Sequence, residues 1–544
     1  MNNLNALLSG LLDRLKVRNP VPEKWDQFIL KAGLYLAVAY LLIFPFLTLY
    51  RITWDTPPEL GWDGCLYTDE GFYSGDAITY ILEGKWYVEN EYNQFINLPL
   101  LQWIQGLCFK IFGMSLLVAR LINWVFALLW LGVAYLLYRR FLPWQWAAAG
   151  TALIASNHVT YGMARFALAE LPMAFLGTLS ILLATYAKGP KAYWFAAASA
   201  LSYSLAVLTK TNVLFMAPVL ALVMILVDAR WKPVLIKFLL CSAIFFAIIG
   251  TYAVLVIVPH FEEFKYFFTL NVGVAASTET NKLWLAISGV TNALRFGDAV
   301  IFPALPLLIL LFLLFARGQR LNPLFWISVG FYAMYLVLYT YYGRVYPRFF
   351  TVSYPALYGI AITVAYVMWD LRREYFFVAY PIMAALFVAA AINLGLTGKY
   401  VVNMKNSYNE MAAEILEIVN NDPDGNRIVI GHHACSLSLR TGLFPKHDRY
   451  GIVPLEERLR LFKPGWFVSE HIMRLAPRAA YDSQREWIDR LFIVEFKGYW
   501  NILDNYRGYP VTLYKLTPRQ SEMEYMENHV RTNRQASPSA KLFD

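Results

Sequence analysis

The stretch from Ala32 to Tyr50, AGLYLAVAYLLIFPFLTLY, carries no charged residue along its whole length. A run of about 20 mostly apolar residues is what a membrane-crossing helix requires, because in lipid every backbone polar group must find its partner inside the segment. Ahead of it lie Arg14, Lys16, Arg18, Lys24 and Lys31. That basic lead, without a small-residue cleavage site after a short apolar core, predicts an uncleaved anchor whose N-terminus faces the cytoplasm. The same test is met downstream at about 115–138, 143–160, 171–187, 193–209, 212–228, 235–258, 297–316, 322–341, 350–369 and 376–394, so the sequence predicts about eleven spans.

The charges test that count. If the first connection is cytoplasmic, alternate connections should be rich in Lys and Arg. Arg139 and Arg140, Lys188 and Lys191, Arg230 and Lys232, Arg317 and Arg320, and Arg372 and Arg373 all fall on the basic side. An odd number of spans then places the chain's end outside. Composition agrees: 58% of the 544 residues are hydrophobic and 16% charged, against roughly 25% charged in a soluble domain. A soluble enzyme is excluded. The net charge of +9 follows from the cytoplasmic loops, so no nucleic-acid partner is expected. The four cysteines, Cys65, Cys108, Cys241 and Cys435, form neither a disulfide framework nor a zinc pattern.

Two outward connections are long, 51–114 and 259–296, and the region after about Lys399 has a soluble composition. There Met411–Val419 reads as a helix face, and Arg427–Ile430, Leu491–Glu495 and Val511–Leu516 read as strands. From about Gln520 to Asp544 periodicity is lost and fraying is expected. The expected architecture is therefore a polytopic α-helical membrane protein, residues 1–395 forming the membrane module with its long outward loops and 396–544 an extracytoplasmic α/β domain.

The first outward loop is the most informative for chemistry. Adjacent Asp69 and Glu70 follow closely on a span, in LYTDEGFYSGDAITY, residues 66–80. Asp69 suits two roles. It can cap a helix whose apolar face holds Phe72, Ala77, Ile78 and Ile81, or it can be a base whose affinity for protons is tuned by low-dielectric walls.

The ordered set Thr68-Asp69-Glu70, Asn97-Leu98-Pro99-Leu100-Leu101-Gln102-Trp103, Phe112-Gly113-Met114-Ser115 and Ala119-Arg120-Leu121 resembles the opening of GT-C class glycosyltransferases that use polyprenyl-phosphate sugars. Protein O-mannosyltransferases and lipid A aminoarabinose transferases are the branches it looks like. The similarity runs on through Arg165 to Met173, Leu208-Thr209-Lys210, Glu263 to Asn271, Tyr346-Pro347-Arg348 and Tyr354-Pro355, covering roughly residues 30 to 395. What the resemblance implies is an inverting displacement on the outer side of the inner membrane. A carboxylate takes the proton of an acceptor hydroxyl, and the lipid phosphate leaves.

On that reading the catalytic acids are Asp69, Glu70 and Glu170, with Asp69 as base. A departing phosphate monoester has a second pKa of about 6, so it needs cations rather than a proton. Outward-facing Lys210, Arg344 and Arg348 are the candidates for the donor phosphate. Each has a plainer alternative: Lys210 as a snorkelling lysine, the two arginines as headgroup anchors, Glu170 as an ion-pair partner of Arg165. Asn97-Leu98-Pro99 departs from the basic residue and two prolines of many lipid A modifying relatives, which weakens both a phosphate contact there and lipid A as acceptor. The acceptor is then any lipid, glycan or protein hydroxyl.

No cofactor is expected and no metal site is indicated, while a divalent ion held in passing by two acidic loops stays open. His432, His433 and Cys435 follow a strand, where adjacent side chains face opposite ways and do not readily share an ion. His158 and His260 read as interfacial residues near outward helix ends. No nucleotide-binding or serine-elbow pattern is present. The competing class is a transporter or flippase, which many spans allow, but internal repeats and mid-membrane ionisable groups do not stand out in the sequence.

Overall fold

The computed structural model describes residues 20–55, 65–228, 230–275, 298–315, 322–341, 347–448, 453–470, 487–502 and 509–519. Within these, every apolar window read as a span lies on helix. Among the described residues six helices are long and apolar enough to cross a membrane, and Glu170–Thr185, Thr211–Val227, Ile301–Phe315 and Pro323–Val337 are shorter apolar helices. The chain divides into two compact units, Met1–Ile52 with Arg120–Asn403, and Thr53–Ala119 with Met404–Asp544.

The helical unit is graded from core to lipid face. The helix Tyr354–Asp370 is buried nearly all round, and Ala356, Gly359, Ala361 and Ala365 along it let neighbouring backbones approach closely, as membrane helix packing favours. Polar links add direction. The Tyr138 hydroxyl donates to Pro355 O at 2.7 Å, and Trp130 Nε1 to Thr178 Oγ1 at 3.2 Å. The helix Trp231–Tyr252 instead leaves Ile236, Phe238, Leu239 and Phe246 exposed. Water would penalise such a face, whereas lipid tails solvate it.

Ion pairs bring together connections assigned to one side by charge alone. Arg372 Nε lies 2.8 Å from Asp26 Oδ2 and Arg373 Nη2 lies 3.0 Å from Glu23 Oε1, tying one basic connection to the start of the first helix. Buried Lys237 reaches both Asp228 Oδ2 at 2.8 Å and Ala187 O at 2.6 Å. Arg140 covers the Tyr186 ring at 4.6 Å. At the far end of the first helix, Glu23–Leu49, the departing carbonyls lack helical partners, and two buried arginines supply them. Arg165 donates to the oxygens of Thr48, Tyr50 and Arg51 at 3.1, 2.5 and 2.6 Å, and Arg120 Nη1 to Ile52 O at 2.7 Å. Cations are also electrostatically favoured at a helix C-terminus. Arg165, considered from sequence as a partner of Glu170, serves here as a helix cap.

The second unit is built on a five-stranded sheet in the order β2-β1-β3-β5-β4: β1 Ile428–Gly431, β2 Phe444–Lys446, β3 Trp466–Glu470, β4 Phe492–Ile502 and β5 Tyr509–Pro518. β1 is parallel to both β2 and β3. β5 runs antiparallel to β3 and β4, with an irregularity between Phe496 and Gly498. Ile430, Leu459, Phe467, Ile488, Leu491, Phe492 and Leu516 form its core. The helix Ser407–Asn420 and strands β1, β4 and β5 fall where hydrophobic patterning predicts them. β2 and β3 were not expected: β2 is only three residues long and reads Phe-Pro-Lys, too short for any period to show. The fraying expected beyond Gln520 lies outside the described residues.

The domain boundary differs from the expected break at 395/396. The segment Thr53–Ala119 packs with the C-terminal region, and the reasons are local. Asp55 Oδ2 accepts from Ser407 Oγ at 2.7 Å and from Tyr408 N at 3.2 Å, capping the helix Ser407–Asn420 from a distant part of the chain. Asp55 N donates to Lys405 O at 2.8 Å, and Asn409 Nδ2 to Thr53 O at 2.9 Å. Glu83 pairs with Lys446 at 2.8 Å. Gly71 packs where any side chain would collide: a Cβ there would stand 2.3 Å from Ser436 N.

Candidate functional site

Asp69 and Glu70 lie on the helix Cys65–Phe72 of the second unit. Successive helical residues point about 100° apart, and the two carboxylates part accordingly. Glu70 is fully buried, its Oε2 3.9 Å from Arg440 Nη2. Asp69 is half-exposed. Arg440 is fixed in turn by Asn409 Oδ1 at 2.9 Å, by Ser436 O at 2.8 Å and by the Tyr408 ring at 4.0 Å. Gly71 N donates to Ser436 Oγ at 3.1 Å, completing the seam against the helix Ala434–Thr441. Asp69 does not cap a following helix, because it sits inside its own and the next, Gly75–Glu83, starts after Ser74.

The other expected residues belong to the helical unit. Glu170 begins the helix Glu170–Thr185, where a carboxylate is favoured by the helix dipole, and Lys210 ends Ala192–Thr209, where a cation is. Arg348 lies on the short turn Pro347–Phe350 that leads into the central helix. All three side chains are buried and converge: Lys210 Nζ is 2.7 Å and Arg348 Nε 3.4 Å from Glu170 Oε1. Both cations also stand 5.3 Å from the Phe349 ring centroid. Two cations thus meet one carboxylate in a buried place, where each charge depends on its partners because water is excluded. Arg344 lies outside the described residues.

A second buried polar group escaped the sequence reading. Asp298 caps the helix Ile301–Phe315, its Oδ1 accepting from Val300 N and Ile301 N at 2.9 and 2.8 Å. Its Oδ2 accepts from the Tyr358 hydroxyl at 2.7 Å and Asn393 Nδ2 at 2.8 Å. Asn157 Nδ2 donates to that hydroxyl at 3.0 Å, and His158 Nδ1 lies 2.8 Å from Asn393 Oδ1. Since Asn393 gives its amide to Asp298, its oxygen is an acceptor, which places a proton on His158 Nδ1. The signal is present: an Asp immediately before an apolar run is an N-cap signature. It was absorbed into the span window.

In the second unit, Glu91 is enclosed by Lys446, Arg458 and the backbone of residues 447–448. Burial pushes its carboxyl up to about 7 against the opposing pull of those cations and of the amides of His447 and Tyr92. Burial also drives the Cys435 thiol far above its ordinary range, which makes it an inert core residue. Cys108, Cys241 and Cys435 are free among the described residues. His433 Nδ1 sits 2.9 Å from the Tyr408 hydroxyl, while His432 turns elsewhere, so the pair indeed separates.

No family model matches the chain. An uncharacterised protein of Aquifex aeolicus is 30% identical over 230 residues, 41% of this chain and 44% of that relative, so less than half the relative's length is matched. Among solved structures, ArnT from Cupriavidus metallidurans in the apo state superposes with a TM-score of 0.57 at 15% identity, over 89% of this chain and 98% of that one. The same ArnT bound to undecaprenyl phosphate gives 0.54 at 16% identity, over 88% and 97%. The oligosaccharyltransferase of Archaeoglobus fulgidus tethered to an acceptor peptide gives 0.50 at 14% identity, over 90% and 74%. At these identities the likeness is one of fold: the chain has the fold of the GT-C glycosyltransferases, as its motif order suggested.

Proposed function

We propose that this protein is an integral-membrane glycosyltransferase that moves a sugar from a polyprenyl-phosphate carrier to an acceptor hydroxyl. The observation that carries the reading is the buried convergence of Lys210 and Arg348 on a single carboxylate, Glu170. Two cations gathered in a buried site suit an anionic ligand, since charge-assisted hydrogen bonds to phosphate oxygens are strong. A lipid phosphate fits: fixed cations in a dry site need no reorganisation as charge develops on the leaving oxygen. In this scheme Glu170 is a positioning residue that holds the cations, not a base.

The acceptor oxygen attacks the anomeric carbon as the bond from that carbon to the phosphate oxygen breaks. The phosphate keeps the bonding electrons, and the hydroxyl proton passes to Asp69. The configuration inverts. Half-exposed Asp69 is the better base of the adjacent pair, because Glu70 faces Arg440 inside the second unit. We place the reaction on the outer side of the inner membrane, with the N-terminus cytoplasmic and the second unit outside. A lipid, glycan or protein supplies the hydroxyl. No soluble cofactor takes part in the step as written.

Purified protein with a polyprenyl-phosphate sugar and an acceptor extract should release polyprenyl phosphate. Asp69→Asn should slow this by about 10²- to 10⁴-fold, the worth of a general base. Lys210→Ala and Arg348→Ala should each cost about 10²- to 10³-fold, as loss of one charge stabiliser does. Undiminished turnover in all three folded variants would remove these residues from the reaction.

A further inference from the structure

We propose that His432, His447 and Asp448 form a binding site for a divalent transition-metal ion, with Zn²⁺ the chemical type that fits. Each offers a ligand atom, and these atoms lie within 4.8 Å of one another. In a tetrahedral site with metal–ligand bonds of 2.0–2.2 Å, ligand atoms stand about 3.4 Å apart. Small side-chain rotations close that gap. Two imidazoles and one carboxylate are a borderline-soft set that suits zinc better than calcium or magnesium, which take oxygen ligands. Three protein ligands leave a fourth position open.

The topology explains how residues far apart in sequence arrive together. β1 and β2 are parallel neighbours, with Ile430 opposite Lys446. His432 follows directly on β1, and His447 and Asp448 directly on β2, so all three emerge at the same carboxyl-terminal edge. That edge is where open α/β sheets bind ligands. Gly431 lets the chain leave β1 there: its φ is +149°, and a Cβ would stand 2.3 Å from Val468 O of β3.

The ligand-bearing turn is also held from behind. Arg458 donates to the backbone carbonyls of His447 and Asp448 at 2.5 and 2.9 Å, and Glu91 Oε1 accepts from His447 N at 3.0 Å. These contacts engage the main chain of the turn and none of its side chains. Phe72 stacks on the His447 ring at 4.2 Å and meets His432 edge-on at 5.1 Å, and Tyr92 lies 5.4 Å from His447. A bound ion would therefore staple the ends of β1 and β2 beneath the helix that carries Asp69, three residues before Phe72. Its expected role is structural, and it stands whether or not the chain transfers sugar.

The full-length protein, dialysed against chelator in detergent, should bind one Co²⁺ per chain with visible absorption of tetrahedral intensity, displaced by Zn²⁺. Zn²⁺ should raise its Tm in a concentration-dependent way. His432→Ala, at the half-buried ligand, should leave the fold intact by circular dichroism and lower Co²⁺ affinity at least tenfold; Asp448→Asn should do the same. Lys188→Ala, in the helical unit, should change nothing. Absence of saturable Co²⁺ binding, or unchanged affinity in both ligand variants, would overturn the site. If Asp448→Asn fails to fold, His432→Ala and the wild-type Tm response decide alone.

Discussion

Glu170 carries more of the site than its sequence context suggests. Its neighbour in sequence, Arg165, is spent on the carbonyls of Thr48, Tyr50 and Arg51, and its true partners are 40 and 178 residues away, at Lys210 and Arg348. Removing one member of a buried pair strands the other's charge, which typically costs about 3–5 kcal/mol, whereas replacing both with apolar groups of similar size is close to neutral. Glu170→Gln should destabilise by that order because both cations lose their shared carboxylate. Lys210→Met should cost less because Arg348 still faces Glu170, and the double variant should lose less than the sum of the two. Thermal unfolding of the four proteins measures it. Additivity within about 0.5 kcal/mol would mean that the two side chains do not interact.

Among elements, the seam between the helices Cys65–Phe72 and Ala434–Thr441 is the most demanding. Gly71 approaches backbone atoms, which no rotamer change can move aside, since a Cβ would stand 2.3 Å from Ser436 N and 2.7 Å from Cys435 C. Gly71→Ala should cost about 1–3 kcal/mol, the ordinary penalty of overpacking, and should lower activity by shifting Asp69 on the same helix. Gly75→Ala is the matched control. Its nearest contact, Cys435 Sγ at 3.8 Å, is ordinary, so neither Tm nor turnover should fall. Equal Tm values for the two variants would show that the helices do not meet this closely.

On the scale of the whole molecule, ion pairs tie one basic connection to the start of the first helix, Asp26–Arg372 and Glu23–Arg373, while Arg120 and Arg165 cap its other end. Orientation can be tested by labelling. In a cysteine-free background, Lys188→Cys and Arg373→Cys should react with an impermeant maleimide only in inverted vesicles, and Asn421→Cys only in intact cells stripped of their outer layer. The reverse pattern would turn the protein over in the membrane and move the reaction to the cytoplasmic face.

Apolar windows, basic connections and the strands β1, β4 and β5 were legible in the sequence because each is written within one short segment: a helix in lipid must be apolar over its own length, and a buried strand over its own few residues. The GT-C motif order was legible for a related reason, since it is a string of local patterns. Tertiary structure alone decided which distant groups meet. Nothing near Glu170 announces Lys210, nothing in Phe444-Pro445-Lys446 announces a strand, and nothing in 51–114 announces that it folds with residues beyond 404. His432 reads as one of an adjacent pair, yet His447 and Asp448 also stand near it, brought close by parallel pairing of two short strands. Packing between segments far apart in the chain depends on shape and charge complementarity that no single window contains.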